Sequence, residues 1–505
     1  MSFSELIITL LPRVATSNGN TFNDGKAAVL TYLQNKTINS IIRIYVPNSP
    51  NFGHQATTVN IMWRLIALGF NQSMEVVYDN GGQYPMDPST IQKLALLIPG
   101  LNPNNPQPVT IDGVVISFIE QQTFTSQNLP KTLTFGITGG YDSDDDNLGK
   151  KFFTKSFLKL QPYGWSRFLS KAKPPKWSHP SVLYNIDVSV DLNNVDVFQD
   201  TFNKFNYYMP IPQMSALDYD NFNNKDCLKA TIYKYIIQDI DNHLINLMPI
   251  YGIADKNGQI TAQCGGKPES VLFNLIAGVA SAQKSHIRSL EKGTVLVNIA
   301  NVTSQPYRNL RTMLNGETTG MPQLNEYASN NELKARVKIV NYNDSNFYTY
   351  MQEVENNPDK ILLVNINGLP QYAFNYMYYR STLPCVFEGK GTAGMILNLG
   401  LPYLHFNQNS QVYPTLPLTS KLSNADAIYC DEVASSLLND FSTTQNLIRD
   451  GFFYKSSINK TGNFIEANAT ANHPLRAYFA QLGTFFHNEE NDKLLNALGS
   501  MLSII

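Results

Sequence analysis

The stretch at 361–405 constrains the fold more than any other part of this chain. Apolar runs that suit buried strands alternate there with runs that suit helices, and the glycine-rich turn Glu388-Gly-Lys-Gly-Thr392 stands where a strand gives way to a helix. In a parallel α/β sheet such a turn lies at the carboxyl end of its strand, where the amide groups of a helix N-terminus bind phosphate well. The stretch therefore predicts a parallel α/β sheet with a candidate phosphate-binding turn. A plain connection that needs glycine only for its backbone conformation would leave the same pattern.

The same alternation of strands and helices occurs in two separate series along the chain. The first series contains a strand at 41–46, a helix within 51–70 and a strand at 74–78, and the second begins with an apolar strand at 293–300. Continuous apolar strands joined by helices are typical of parallel sheets covered on both faces. Because 505 residues exceed what one hydrophobic core normally contains, we predict an α/β protein with two Rossmann-like domains.

The predicted domain boundaries follow from where the two series end. Residues 1–255 are predicted to form an N-terminal α/β domain that binds the acceptor substrate proposed below, with an irregular insertion near 175–225. Residues 256–472 are predicted to form the C-terminal α/β domain. The amphipathic segment 473–505 is predicted to be a C-terminal helix that packs back towards the N-terminal domain.

Composition excludes several classes of partner. The chain is 43% hydrophobic and 15% charged, and its net charge of −2 offers no field that would recruit nucleic acid or an anionic membrane. No apolar run is long enough to span a bilayer, and the four cysteines have no C-x-x-C spacing. These features predict a cytoplasmic protein with reduced thiols. Heavy use of Asn, Ile, Lys and Tyr suits an AT-rich genome. A more speculative hypothesis than a cytoplasmic location is that the chain is a bacterial effector secreted into a host cell.

Three short motifs follow one another in the C-terminal half. Pro370-Gln371 follows a strand, Gly389-Lys-Gly-Thr392 forms the strand-to-helix turn, and Gly400-Leu-Pro402 introduces the next strand. This order resembles the GT-B glycosyltransferases, which move a sugar from a nucleotide-diphosphate donor to an acceptor. The resemblance implies two Rossmann-like domains that face each other across a cleft, with the donor on the C-terminal domain and the acceptor on the N-terminal one.

The resemblance also implies roles for individual residues of the donor domain. It implies that the nucleotide base is bordered by Gly368, Leu369, Pro370 and Gln371. It implies that the diphosphate is held by Gly389, Lys390, Gly391 and Thr392, and that the loop after the domain's first strand faces it with Asn301, Thr303 and Ser304. Asn407-Gln408 is a shortened counterpart of the pair that binds sugar hydroxyls in that family.

One position departs from the family pattern. Many relatives place a ribose-binding Glu about six residues after the turn glycine, and this chain has Met395 there. Glu388, before the turn, is the residue left to reach the ribose. Lys390 is the main cation near the turn, so backbone dipoles would carry much of the diphosphate charge.

The N-terminal half offers a candidate catalytic base. Gly53-His54 stands between a strand and a helix and matches a Gly-His pair of similar enzymes, in which the His acts as base or contacts donor and acceptor. The resemblance implies that His54 removes the acceptor proton, and Asp79 is the next carboxylate to consider. A structural His that bonds to backbone is an equal alternative.

The sequence hypothesis is a metal-independent glycosyltransferase that uses a nucleotide-diphosphate sugar and no further cofactor. The acceptor is not identified, and a protein is one candidate. One alternative is a GT-B-like binding or interaction protein without transferase activity, which Met395 and the insertion favour. Another is a metal-dependent enzyme of the GT-A type, which would use the D-x-D motif at Asp142 and Asp144 to hold a divalent cation.

Overall fold

The chain divides into two compact units. The computed structural model describes residues 29–31, 33–34, 41–49, 53–81, 88–126, 133–139, 148–160, 182–184, 216–253, 255–256, 259–260, 267–299, 304–355, 357–387, 390–405, 455–486, 494–495 and 498. Unit 1 comprises Met1–Pro210 with Thr484–Ile505, and unit 2 comprises Ile211–Gly483. Each unit is described by itself below.

Unit 1 is built around a seven-stranded, mostly parallel sheet. Its strands are β1 (Ile41–Val46), β2 (Ser73–Tyr78), β3 (Val109–Ile111), β4 (Val114–Glu120), β5 (Leu133–Gly139), β6 (Thr154–Leu160) and β7 (Val182–Tyr184). The spatial order is β3-β4-β2-β1-β5-β6-β7, and only the two outermost pairings are antiparallel. Its helices are α1 (Gly53–Ala67), α2 (Thr90–Leu97), α3 (Gln121–Ser126) and α4 (Leu148–Lys151). The predicted strand–helix–strand unit of the first series is confirmed.

One edge of this sheet is a hairpin with an Asp-Gly turn. Strands β3 and β4 pair antiparallel, with Ile111 opposite Val114. The two residues between them, Asp112 and Gly113, have φ values of +49° and +81°. Two successive positive φ values give the turn the twist that a two-residue hairpin needs, which is why Asp-Gly is favoured there.

An arginine in the middle strand of unit 1 ties the sheet to the segment that follows α4. Arg43 is only 1% exposed, and its Nε donates to Glu75 Oε1 at 2.6 Å. Its Nη1 donates to the carbonyl oxygens of Phe152 and Phe153, and the guanidinium lies 4.9 Å from the centre of the Phe124 ring. The buried charge is therefore paired and hydrogen-bonded, as burial of a charge requires.

Unit 2 contains a six-stranded sheet that is parallel throughout. Its strands are β8 (Ile245–Ile250), β11 (Gly293–Asn298), β12 (Val337–Asn341), β13 (Ile361–Asn365), β14 (Cys385–Phe387) and β15 (Tyr403–His405), while β9 (Asp255–Lys256) and β10 (Gln259–Ile260) form a separate small ribbon. The spatial order is β12-β13-β11-β8-β14-β15. The four inner strands, β13, β11, β8 and β14, are buried along their length, which confirms the prediction of a parallel sheet covered on both faces.

The helices of unit 2 cover this sheet. They are α5 (Ala216–Lys225), α6 (Cys227–Asp241), α7 (Pro268–Gln283), α8 (Ser304–Leu314), α9 (Pro322–Asn330), α10 (Leu333–Arg336), α11 (Phe347–Glu355), α12 (Gln371–Tyr379), α13 (Lys390–Leu399), α14 (Lys455–Ala469) and α15 (Pro474–Phe486). Helix α7 is buried on nearly every side because α14 packs closely against it. A methyl group on Gly278 of α7 would lie 2.6 Å from Thr461 of α14, so glycine permits this approach.

The division between the units differs from the boundary placed at 255/256 in the sequence analysis. Strand β8 pairs with β11 along its length, so it belongs to the second sheet together with the preceding helix α6. Its apolar run at 245–250 precedes residue 255, so the predicted boundary assigns it to the N-terminal domain. A single apolar strand does not reveal which sheet it joins. At the other end, Leu494, Leu495 and Leu498 lie in the hydrophobic core of unit 1.

Candidate functional site

The carboxyl edge of the second sheet, where its parallel strands end, collects most of the predicted donor residues. Ser304 follows β11, the segment from Gly368 to Gln371 follows β13, and helix α13 begins with Lys390 after β14. These strands and β8 are consecutive in space, and the chain crosses from one side of β8 to the other between β13 and β14. Such a switch point leaves a crevice at the carboxyl ends of an open α/β sheet, which is the usual ligand-binding place in this architecture.

The loop after β13 is held in a defined conformation. Asn367 and Gly368 both have positive φ values, +55° and +86°. The Gly368 amide donates to the carbonyl oxygen of Ile299, in the loop after β11, at 2.7 Å. A methyl group on Gly368 would meet no atom of the described residues within 4 Å, so its backbone conformation, not crowding, calls for glycine. The backbone here is left open towards its surroundings.

Lys229, which the sequence analysis missed, supports the same loop. Its Nζ donates to the carbonyl oxygen of Asn367 at 3.2 Å and lies 3.5 Å from a carboxylate oxygen of Asp226. The ammonium also lies 4.9 Å from the centre of the Tyr342 ring. Lys229 stands in the first turn of α6, far from the motifs in sequence. Only the pairing of β8 with β11 brings the start of α6 to this edge, so no local sequence signal marks it.

Pro370 and Gln371 are more enclosed than a base-contacting pair needs to be. Pro370 is the N-cap residue of α12, and its carbonyl oxygen accepts the Phe374 amide at 2.8 Å. Gln371 is only 9% exposed. The pair lies buried at the helix start, and Gly368 and Leu369, which are half-buried, are the more accessible part of the predicted base-bordering segment.

The aromatic residues of α12 pack within unit 2. The Tyr378 hydroxyl donates to the carbonyl oxygen of Val386 at 2.7 Å, and the Phe374 ring meets the Tyr251 ring edge-on at 5.2 Å. The Tyr233 hydroxyl of α6 donates to the carbonyl oxygen of Ala373 at 2.9 Å. These contacts fix α12, and with it the loop that precedes it, against α6 and β14.

The glycine-rich turn at 388–392 lies only partly within the described residues. Glu388 and Gly389 lie outside the described residues, and α13 starts at Lys390. Lys390, Gly391 and Thr392 therefore form its first turn, whose amide groups have no partner further back in the helix. Thr392 is half-buried. An anion at this point would meet amide groups and the positive end of the helix dipole.

Met395 occupies a core position of α13. It is 2% exposed, so the side chain at the place of the usual ribose-binding acid packs inside the unit. A Glu here would carry its charge into that core. Where the family pattern has a ribose-binding Glu, this chain therefore has a buried apolar side chain.

The loop after β11 adds a second cation that the sequence analysis did not consider. Asn301 and Thr303 lie outside the described residues, while Ser304 is the exposed first residue of α8. The Nη1 of Arg308, one turn along α8, donates to Ser304 Oγ at 3.2 Å. A basic residue four positions after a predicted helix start shares its face, and that spacing could have indicated Arg308.

The Gly-x-Pro motif has a packing explanation. Gly400 has a φ of +65°, and a methyl group there would lie 3.1 Å from the carbonyl oxygen of Phe479 in α15. Helix α15 itself comes close because it has Gly483 at the contact. Asn407 and Gln408, predicted to bind sugar hydroxyls, lie outside the described residues, just beyond β15.

His54 lies at the carboxyl edge of the first sheet. It is the second residue of α1, after β1, and it is half-buried. The Thr58 hydroxyl donates to the carbonyl oxygen of His54 at 2.9 Å and also lies 3.0 Å from that of Gly139, at the end of β5. Asp79, the other candidate base, follows the neighbouring strand β2, and its Oδ1 accepts the Gly81 amide at 2.8 Å. Both candidates therefore lie at the ends of adjacent strands.

No metal centre is found among the described residues. They contain no group of three or more His, Cys, Asp and Glu side chains that could hold an ion. The D-x-D motif at Asp142 and Asp144 lies outside them, so the metal-dependent alternative stays a hypothesis. Among the helices of the described part, none has the length and apolarity needed to cross a membrane.

The two units define the class of this chain as an α/β protein with two mostly parallel sheets, which confirms the predicted fold class. No protein-family model matches the chain, and no curated protein matches it. Two solved structures with the GT-B fold resemble it at a distance, both of enzymes described as UDP-N-acetylglucosamine 2-epimerases.

The first, from Listeria monocytogenes, has a TM-score of 0.33 and 12% identity, with 88% of this chain and 94% of that chain covered. The second, from Neisseria meningitidis and bound to UDP-GlcNAc, has a TM-score of 0.28 and 11% identity, with 85% and 96% covered. Likeness at this level shows nothing about the activity of this chain.

Proposed function

We propose that this chain binds a nucleotide-diphosphate sugar at the carboxyl edge of its second sheet and transfers the sugar to an acceptor without a metal ion. One observation carries the proposal: the loops after β11 and β13 and the first turn of α13 meet at that edge, where the chain changes direction across β8. A diphosphate needs several donors in a fixed arrangement, and helix N-termini and tight loops supply backbone donors of that kind.

The charge of the edge supports this choice of ligand. Arg308 adds a second cation to Lys390 at this edge, so the diphosphate need not be held by backbone dipoles alone. The charge of Lys229 is paired with Asp226, and its role is to hold the loop after β13. In the proposed reaction the diphosphate leaves as negative charge accumulates on its bridging oxygen. Amide groups in the first turn of α13 would stabilise that charge because they are already oriented before the reaction.

The acceptor half of the proposal rests on His54. A base must lie within hydrogen-bond reach of the acceptor proton, and a residue at the carboxyl edge of a parallel sheet is open to ligands. We propose that His54 removes this proton while the acceptor is bound to unit 1.

A binding protein of the same fold is the second candidate. The buried Met395 favours it, because the usual ribose-binding acid is replaced by a core side chain. Such a protein would bind the nucleotide or another ligand and would leave the sugar bond intact.

Nucleotide binding is tested first by thermal unfolding with UDP, GDP, dTDP and inorganic phosphate. A ligand that binds only the folded state at 100 times its Kd stabilises it by about 2.7 kcal/mol, so a clear rise in Tm is expected for at least one diphosphate. Lys390→Ala and Thr392→Ala should weaken this stabilisation. Lys334→Ala, an exposed lysine just before β12 that pairs with Glu317, is the matched control. If no diphosphate raises the Tm, the donor-site proposal fails.

Transfer is tested with the nucleotide sugar that binds best. Release of nucleoside diphosphate should persist in EDTA and fall in His54→Ala without a matching loss of donor affinity. Binding without any release, with candidate acceptors present, favours the binding protein. Loss of activity in EDTA favours the metal-dependent alternative.

A further inference from the structure

A relay of side-chain hydrogen bonds joins helix α7 to the guanidinium group of Arg308. Glu269, in the first turn of α7, accepts Asn309 Nδ2 of α8 at its Oε1, at 2.9 Å. Asn309 Oδ1 accepts Gln305 Nε2 at 2.7 Å. Gln305 Oε1 accepts both Nε and Nη2 of Arg308, at 3.2 and 2.6 Å. Four side chains from two helices are therefore connected in one line.

The relay lies at the carboxyl edge of the second sheet. Helix α8 begins there, after β11. Helix α7 ends where the chain leads into the start of β11, so its first turn lies at the opposite, carboxyl edge. Glu269 is 7% exposed and Asn309 is half-buried. Gln305 and Arg308 are exposed, so the relay leads from the interior of unit 2 to the surface on which Ser304 lies.

The two ends of the relay fix the direction of every hydrogen bond in it. A carboxylate only accepts hydrogen bonds and a guanidinium only donates them, whereas a side-chain amide does both. The negative charge of Glu269 is favoured in the first turn of α7 by the positive end of the helix dipole. Glu269 takes the NH2 group of Asn309, so the amide oxygen of Asn309 faces Gln305. Gln305 is oriented in the same way, and its oxygen therefore faces Arg308.

The relay holds the guanidinium of Arg308 without neutralising its charge. Its Nε and Nη2 donate to the amide oxygen of Gln305, and its Nη1 donates to the hydroxyl of Ser304 at 3.2 Å. Among the described residues no carboxylate pairs with Arg308, whereas Arg336 and Arg380 of the same unit each have an Asp partner. A guanidinium that is held by uncharged groups keeps its attraction for an anion.

We propose that Glu269, Asn309 and Gln305 are positioning residues that hold Arg308 ready for the diphosphate of the donor. This role rests on the proposed function, since the donor supplies the anion. A long side chain that is immobilised before binding loses less freedom when the anion arrives, which is worth up to about tenfold in affinity for one such residue. The neutral amides provide this while leaving the positive charge available, which a carboxylate in the place of Gln305 would not do.

Calorimetric titration of the full-length chain with inorganic pyrophosphate, UDP, GDP and dTDP tests this role. Gln305→Ala should weaken binding about threefold to tenfold, and the loss should vanish when Arg308 is already Ala, because the relay acts through that residue. Gln305→Glu keeps the shape of the side chain but pairs Arg308 with a carboxylate. It should hold the guanidinium more firmly and still weaken binding, whereas a merely structural Gln305 would tolerate the change. Gln323→Glu, the same change at an exposed position of α9, is the matched control and should bind like the wild type.

Two further measurements examine the far end of the relay and the chain without ligand. Glu269→Gln keeps the shape of the side chain but lets Asn309 turn its amide around. This variant should weaken binding less than Gln305→Ala does, and again only when Arg308 is present. The Nε–H group of Arg308 can be observed by NMR with isotope-labelled arginine and assigned by its loss in Arg308→Ala. It should exchange with solvent more slowly in the wild type than in Gln305→Ala.

The outcomes separate the positioning role from the donor site itself. Losses of affinity in both Gln305 variants that vanish without Arg308 support the role. Unchanged affinity in either Gln305 variant, a loss that persists in the Arg308→Ala background, or equal exchange of the Nε–H group overturns it and leaves the donor site in place. If the wild type binds neither pyrophosphate nor any of the three nucleoside diphosphates, the proposed function fails before any variant is compared, and the positioning role fails with it.

Discussion

Lys229 offers the sharpest test of how the candidate site is held together. Lys229→Met removes the ammonium group but keeps most of the apolar stem. The change deletes the hydrogen bond to the carbonyl oxygen of Asn367 and the contacts with Asp226 and Tyr342. Because these contacts hold the carbonyl group of Asn367, next to the Gly368 amide that is bonded to Ile299, we expect the loop after β13 to open more often without them.

The size of the effect follows from these contacts. The Lys229 side chain is 14% exposed and that of Asp226 is 33% exposed, so screening by solvent is partial. A hydrogen bond from a charged group contributes about 1.5–3 kcal/mol when well buried, and we take about 1 kcal/mol here. The cation–π contact adds about 0.5–1 kcal/mol. Together they amount to about 2 kcal/mol, which is roughly a 30-fold change in the opening equilibrium.

Hydrogen exchange at the Gly368 amide measures this directly, since that amide is bonded to Ile299. Its protection should fall roughly 30-fold in Lys229→Met and much less in Lys229→Arg, which keeps the charge. Lys234→Met is the matched control, because Lys234 lies on the same helix and faces Tyr219 instead. Unchanged protection at Gly368 would refute the reasoning, whether or not the chain binds a nucleotide.

Three further substitutions test the packing of the two units. Gly483→Ala places a methyl group 2.4 Å from the Cα of Gly400. Urea unfolding should show that it lowers the unfolding free energy of unit 2 by about 2 kcal/mol. The same change in a helix with free space around it is stabilising. Arg43→Met leaves the Glu75 carboxylate without its partner, and urea unfolding followed by Trp fluorescence should show a loss of about 2 kcal/mol that Glu75→Gln partly restores. Gly113→Ala meets no described atom but forces a positive φ, so the same assay should show a loss of about 1 kcal/mol, and a larger loss would contradict the open turn.

The elements could be predicted from sequence where local pattern decides them. The apolar run Ile361–Asn365, the Asp112-Gly113 turn and the helix opened by Pro268 each carry their own signal of periodicity or backbone preference. The strand type of the first, predicted within 361–405, is confirmed. The short helices α2 and α9 were missed because packing, more than a strong local pattern, stabilises short helices.

The candidate site was predictable in outline and not in its supporting contacts. Parallel strands that precede motif-bearing loops must end at one edge, so the gathering of Ser304, Gly368 and Lys390 follows from fold class. Lys229 and Arg308 could not be found in this way. The contribution of Lys229 depends on which strand its helix precedes, and that of Arg308 on a side-chain contact one helical turn away.

By itself the sequence determined that this chain forms two parallel α/β sheets, because strand and helix periodicity are local properties that each segment carries wherever it folds. Only the tertiary structure decided that β8 belongs to the second sheet, that Met395 faces the core, and that Lys229 reaches the loop after β13. Each of these depends on residues far apart in the chain whose neighbours are fixed by packing. Lys229 shows the difference most directly, since its helix comes to the edge of the second sheet, and its ammonium to the carbonyl oxygen of Asn367, only when β8 has paired with β11.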